Sequence, residues 1–149
     1  MRLTPDYPPV WLAGSMAAMW GLSRLAPWPA WEGAAALWAG RALILAALLV
    51  MIWAALEFRR ARTTIVPHEA PSALVTSGPF RFSRNPIYAA DAAILLGWGL
   101  SLGALLPFAV VPVFVWVIGA RFIRGEEARL RAAFPEAFAA WAARTRRWL

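Results

Sequence analysis

The side chains able to do chemistry fall in two short stretches. Arg84, Asn85 and Tyr88 stand in FRFSRNPIY, and Arg121, Glu126 and Glu127 stand some forty residues on in ARFIRGEEARL. The chain has no Cys, which removes disulfides, thiolate metal sites and a Cys nucleophile together. A single histidine, His68, is too few for a His-based metal cluster. Beside Glu69 in a polar loop, His68 reads first as a solvated residue and second as a site residue. Asp91 is a lone acid within an apolar run, where a charge is costly unless paired or functional. An ion pair with Arg121 is the first reading, contact with a substrate the second.

Apolar helices must position these groups. The chain has 149 residues, of which 61% are hydrophobic, so one domain (1–149) buried in lipid is expected. Apolar runs at 9–26, 34–58, 86–102 and 105–123 predict an all-α integral membrane fold of about four transmembrane helices, each able to cross most of a ~30 Å core. Pro86 opens the third run, and Pro107 and Pro112 predict a kink near the start of the fourth. The short third-to-fourth connection demands an antiparallel hairpin. Gly99 and Gly103 allow close helix packing.

The net charge of +7 comes with 15 basic residues, all Arg, which in such a protein points first to topology and anionic headgroups and argues against nucleic acid. Arg59, Arg60, Arg62, Arg81 and Arg84 put the loop 59–85 in the cytoplasm. Both termini follow, in agreement with Arg2, Arg124, Arg129, Arg131, Arg144, Arg146 and Arg147; only Arg24 and Arg41 dissent. A bacterial cytoplasmic (inner) membrane is the expected location. The N-terminus lacks a basic region and a small-residue cleavage pattern, so the first run reads as retained. Trp11, Trp28, Trp31, Trp38, Trp141 and Trp148 fall near run ends, as an interfacial belt would, whereas Trp53, Trp98 and Trp116 are expected to pack. The tail 124–149 reads as amphipathic helix, with a second short helix starting at Pro135. Phe138, Trp141 and Trp148 are expected at headgroup depth.

The loop 63–88, TTIVPHEAPSALVTSGPFRFSRNPIY, is too long and aperiodic to be idle. Ser77-Gly78-Pro79 reverses it and Pro86 fixes its exit. LVTSGPFRFSRNPIY followed by GEEARLRAAFPEAFAAWAARTRRWL resembles the superfamily of isoprenylcysteine carboxyl methyltransferases and phospholipid N-methyltransferases. Their pattern is an LVTxGxY turn, an RHPxY or RNPxY motif opening a helix, a helical hairpin, then EExxL and an aromatic, basic tail. The resemblance covers the chain from about residue 63 onward, and the first two runs match by hydropathy alone.

That resemblance implies S-adenosylmethionine bound by Ser72, Ala73, Leu74 and Val75, by Gly78 and Phe80 of the turn, by Asn85, Pro86, Ile87 and Tyr88, and by Glu126 and Glu127. Arg84, Asn85 and Arg121 become the candidate catalytic residues. A sulfonium ligand with an ammonium and a carboxylate needs an acid, a donor and an apolar wall. Glu126, Arg84, and Leu74 with Phe80 suit those needs. Methyl transfer requires positioning rather than a covalent enzyme intermediate. The chain departs from the pattern at Phe80 (usually Tyr), Asn85 (usually His), Ala89 or Ala90 (a common Gly) and Phe122 (a basic residue in the prenylcysteine enzymes). The last departure argues against a prenylcysteine substrate. The expected partners are the bilayer, anionic headgroups and a lipophilic small-molecule acceptor bearing a carboxylate, amine, phenol or thiol. Alternatives are an NADPH-dependent membrane reductase with similar C-terminal motifs and a noncatalytic membrane scaffold.

Overall fold

The computed structural model describes residues 6–28, 30–63 and 71–149. His68 and Glu69 lie outside the described residues. The order is α1 (Pro8–Leu25), α2 (Ala34–Arg60), α3 (Pro86–Leu102), α4 (Val110–Ile118), α5 (Arg124–Ala133) and α6 (Pro135–Ala142). Gly78–Arg81 and Leu106–Ala109 form 3-10 turns and Gly119–Ile123 a π turn. No strand occurs among the described residues. Proline opens α1, α3 and α6, where its missing N–H would have had no helical partner. The first three helices agree with the expected runs to within two residues.

Helix continues from Leu106 through Ala133, so the fourth apolar run and the start of the helical tail expected from residue 124 are joined without a break. The π turn accommodates one extra residue without breaking the helix, and Pro135 then starts a new one after Phe134 leaves helical backbone. The expected kink is absorbed at the start: Pro107 lies in the 3-10 turn and Pro112 in the first turn of α4.

Two helical runs, Ala34–Arg60 with 27 residues and Leu106–Ala133 with 28, are long and apolar enough to cross a membrane. A core helix of a soluble protein would be mostly buried. The most apolar stretch of α2 is only 11% buried, and Leu45, Leu48, Leu49, Ile52, Trp53 and Leu56 all point outward. Such a helix, apolar around its circumference, suits lipid. Trp116 also faces outward at 70% exposure instead of packing.

The chain packs as two compact units, Met1–Ala47 with Asp91–Ile118, and Leu48–Ala90 with Gly119–Leu149. In the first, α2 and α3 approach backbone to backbone at Gly40 and Gly97. Gly99 fits against Phe108 and Met19, so its close packing is real, whereas Gly103 turns the hairpin with φ +68°. Two indoles tie the elements: Trp98 Nε1 donates to the Met16 carbonyl at 3.1 Å and Trp31 Nε1 to the Leu100 carbonyl at 3.2 Å. The two arginines that dissent from the charge rule lie over outward-facing rings, Arg24 on Trp20 and Arg41 on Trp38.

A Cβ on Gly97 would sit 2.6 Å from the Gly40 carbonyl oxygen, so two helix backbones must separate to admit it. Gly97→Ala is expected to cost about 1–3 kcal/mol, read as a lower thermal midpoint in detergent. Gly14→Ala, which meets nothing within 4 Å, should not lower it.

Candidate functional site

Every candidate cofactor or catalytic residue named from the sequence belongs to the second unit. They separate into three groups with different physical jobs.

The first group is apolar. Val75 and Phe80 are buried with Ala54, Phe138 and Trp141, and Leu74, Ile87, Phe58 and Leu130 pack around them. The Phe80 ring meets Phe58 edge-on at 5.1 Å between centroids, and its carbonyl accepts from Trp141 Nε1 at 2.9 Å. Phe138 and Trp141 are 1% and 2% exposed, so the expectation that they sit at headgroup depth is corrected. The apolar face of the tail helix meets protein. Gly78, with φ +57°, is required here twice over, by its backbone and by Glu57 and the Trp53 indole close beside it.

The second group is a polar clasp. Arg84 Nε donates to Glu127 Oε1 at 3.0 Å, and Arg84 Nη1 donates to the carbonyls of Ala142 (3.1 Å) and Thr145 (2.8 Å). Those carbonyls stand at the end of α6 and just beyond it, where helical partners run out. Arg147 reaches the same carboxylate, its Nη2 lying 2.7 Å from Glu127 Oε2. The hydrogen bond to Glu127 raises the Arg147 guanidinium above its ordinary value. Asn85 donates to the Arg147 carbonyl at 2.9 Å, and the Arg84 amide donates to the Arg146 carbonyl at 2.8 Å. The motif that opens α3 is thereby fastened to the C-terminal tail. Three of the five guanidinium N–H groups of Arg84 are thus engaged by protein.

The third group is the pair best disposed to meet a ligand. Tyr88, in the first turn of α3, donates its hydroxyl to Glu126 Oε1 at 2.6 Å. Glu126 lies in the first turn of α5 and is half-buried, and the Tyr88 ring stands 6.4 Å from Phe122. The π turn just ahead carries Phe122 and Ile123 inward and leaves Arg121 exposed. Pro86 is buried and Ala73 half-buried. Ser72 is exposed and bonded to Thr63, at the end of α2.

Several contributors were not singled out by the sequence. Glu57 is buried and accepts from Ser77 and from Arg60, holding the turn that carries Gly78 and Phe80. Its signal was available, as the one acid in the second apolar run. Ser83 and Thr145 carried none, because their roles depend on main-chain partners far away in sequence, and nothing set Arg147 apart from the other tail arginines as the one that pairs with Glu127. Asp91 receives no hydrogen bond or ion pair among the described residues.

Two helices of this length with outward apolar faces suit a membrane, in agreement with the family to which the chain is matched. A family model described as phospholipid methyltransferase matches residues 35–137, and the chain belongs to that family. The family is one of membrane methyltransferases, which typically draw the methyl group from S-adenosylmethionine. Over 72 residues the chain is 39% identical to the cobalt-zinc-cadmium resistance protein CzcN of Cupriavidus metallidurans. That match covers 48% of this chain and 33% of the relative, so the segment is about a third of the relative's length. No solved structure matches the chain.

Removing the carboxylate would leave the half-buried Arg84 without its charge partner. Glu127→Ala is expected to destabilise by about 2–3 kcal/mol in chemical or thermal unfolding. The Arg84→Ala and Glu127→Ala effects should be strongly non-additive in a double-mutant cycle.

Proposed function

We propose that this protein transfers a methyl group from S-adenosylmethionine to a lipophilic or membrane-partitioned acceptor at the cytoplasmic face of a bacterial inner membrane. The observation that carries the reading is the Tyr88–Glu126 hydrogen bond at the starts of α3 and α5, in the unit where Leu74 and Ile87 are partly buried against the apolar cluster of Val75 and Phe80. This set fits the cofactor: Glu126 is an acid for its ammonium, and Leu74 with Ile87 offers apolar surface for its adenine. The family membership supports the same donor. When bound, S-adenosylmethionine supplies a methyl on a sulfonium, which needs no nucleophile from the protein.

The chain's own residues then have distinct roles. Tyr88 orients the Glu126 carboxylate by holding Oε1, and Glu126 anchors the ligand amine. Phe80 and Val75 hold the wall from behind. Asn85 and Glu127 keep the opening of α3 fastened to the tail. Arg84, in our reading, braces that junction instead of binding the ligand carboxylate, because its Nε and Nη1 donors already serve Glu127 and two carbonyls. Arg121 is the exposed guanidinium we assign to the reacting region.

We read the protein as spanning the membrane four times, with both termini in the cytoplasm. The arginines Arg124, Arg129, Arg131, Arg144 and Arg146 then meet anionic headgroups, which a positively charged tail favours. The acceptor is a lipid or lipid-like molecule bearing a carboxylate, amine, phenol or thiol. We carry no metal chemistry over from the resistance protein, since no three His, Asp or Glu side chains stand together as ligands among the described residues.

Purified protein should bind S-adenosylhomocysteine saturably in calorimetry and show no response to NADPH. Glu126→Gln should weaken that binding about 10- to 100-fold, the worth of one charge-assisted hydrogen bond, with the thermal midpoint preserved. Saturable NADPH binding without S-adenosylhomocysteine binding would overturn the reading.

A further inference from the structure

Glu57 is buried near the end of α2, and an acid buried in an otherwise apolar helix is costly unless its partners need it. The partners divide between its two oxygens. Oε1 accepts from Arg60 Nη1 at 2.7 Å, an i,i+3 pair whose arginine is 73% exposed, so solvent screens it and it contributes little. Oε2 accepts from the Ser77 hydroxyl, 20 residues on. That second contact reaches out of the helix to the loop.

Residues 73–76 run without regular secondary structure between two anchors. At one end Ser72 Oγ meets Thr63 Oγ1 at 3.0 Å, an exposed bond between hydroxyls that water can replace. At the other, Ser77 meets the buried Glu57 carboxylate. A hydrogen bond to a charged group is the stronger of the two.

Neighbouring contacts act on the same turn. Phe58, next to Glu57 in sequence, meets the Phe80 ring edge-on. Gly78 packs so closely that an added Cβ would stand 2.6 Å from Glu57 Cγ and 2.9 Å from the Trp53 indole nitrogen. The last turns of α2 thus fix Ser77, Gly78 and Phe80 together. All of these residues belong to the second unit. Leu74, assigned above to the adenine, precedes Ser77 by three residues, so its place depends on where Ser77 is held.

We infer that Glu57 is a positioning residue of the cofactor site: by holding Ser77 it fixes the apolar wall 74–80 and sets the affinity for S-adenosylmethionine, without touching the ligand. The inference rests on the methyl-transfer reading above. A loop that has lost this anchor must be ordered when the cofactor binds, and that cost falls on affinity. Once the cofactor is bound the wall is in place, and transfer proceeds at its usual rate.

The test uses full-length protein in lipid nanodiscs. Affinity and stoichiometry for S-adenosylhomocysteine are read by calorimetry. Transfer of label from methyl-labelled S-adenosylmethionine to a total lipid extract of the host is followed as the cofactor concentration is varied. Glu57→Gln keeps the shape and gives up the charge; Ser77→Ala removes one hydroxyl from an exposed residue. Each is expected to raise Kd and the cofactor KM about 10-fold, the scale of a hydrogen bond to a charged group. Stoichiometry should be preserved, and the rate at saturating cofactor should stay within about twofold of wild type. The double variant should lose little more than either single one, because both break the same bond. Ser77→Thr keeps the hydroxyl, and its branched side chain suits the extended backbone there (φ −92°, ψ 173°), so it should bind as the wild type does. Arg60→Ala should change affinity less than about twofold.

Wild-type affinity in Ser77→Ala overturns the inference, and that variant decides alone if Glu57→Gln does not fold. Reduced stoichiometry at unchanged affinity also overturns it, since a merely structural role lowers the competent fraction and leaves Kd alone. So does a rate at saturating cofactor that falls by more than KM rises, or an Arg60→Ala effect as large as that of Ser77→Ala. Absence of saturable S-adenosylhomocysteine binding in the wild type overturns the methyl-transfer reading itself. Binding in the wild type thus separates the two failures.

Discussion

Two guanidiniums reach a single buried carboxylate, and the second unit is organised around that meeting. Glu127 lies in the first turn of α5, Arg84 just before α3, and Arg147 near the C-terminus. Burying a carboxylate is expensive unless it finds partners, and here the partners also solve other problems. Arg84 satisfies two carbonyls where α6 runs out, and the Arg147 carbonyl receives Asn85. Loop, helix starts and tail are therefore fixed by one network. The pair that suits a ligand stands next to it in sequence: Tyr88 is four residues beyond Arg84, and Glu126 precedes Glu127.

The network also explains why the tail must return. An amphipathic helix ending in arginines could lie on a membrane with its aromatics in the headgroups. In this chain Phe138 and Trp141 turn inward onto Phe80 and Val75, and the Trp141 indole donates to the Phe80 carbonyl. Apolar packing and ion pairing thus act on the same two segments. The exposed arginines that remain, among them Arg124, Arg144 and Arg146, are left to face outward.

The helices were largely legible from the sequence because long apolar runs and prolines at first helical positions both speak to local structure. Arg121, Arg124 and the acid pair mark where the apolar run gives way to the amphipathic tail, and the backbone stays helical across a π turn to Ala133, so the boundary legible in the sequence is one of environment. Which residues gather was legible too, since Arg84, Asn85, Tyr88, Glu126 and Glu127 belong to two ordered motifs. What each does there was not. The partners of Arg84 include main-chain carbonyls 58 and 61 residues away, and no side-chain identity announces those. Helical spacing showed that Phe138 and Trp141 share a face without saying whether lipid or protein lies opposite. For Asp91 the sequence disclosed a charge in an apolar run, and only packing reveals that it is buried with no donor among the described residues.

The central claim is that these helix starts form a methyl-transfer site in a membrane. Its most direct measurement is incubation of the purified protein with methyl-labelled S-adenosylmethionine and total host lipids, followed by mass identification of the labelled product. The account predicts a single class of lipid-soluble product, one methyl heavier per transfer, formed in step with S-adenosylhomocysteine. Consumption of no cofactor by a folded protein, with no lipid labelled, would contradict it.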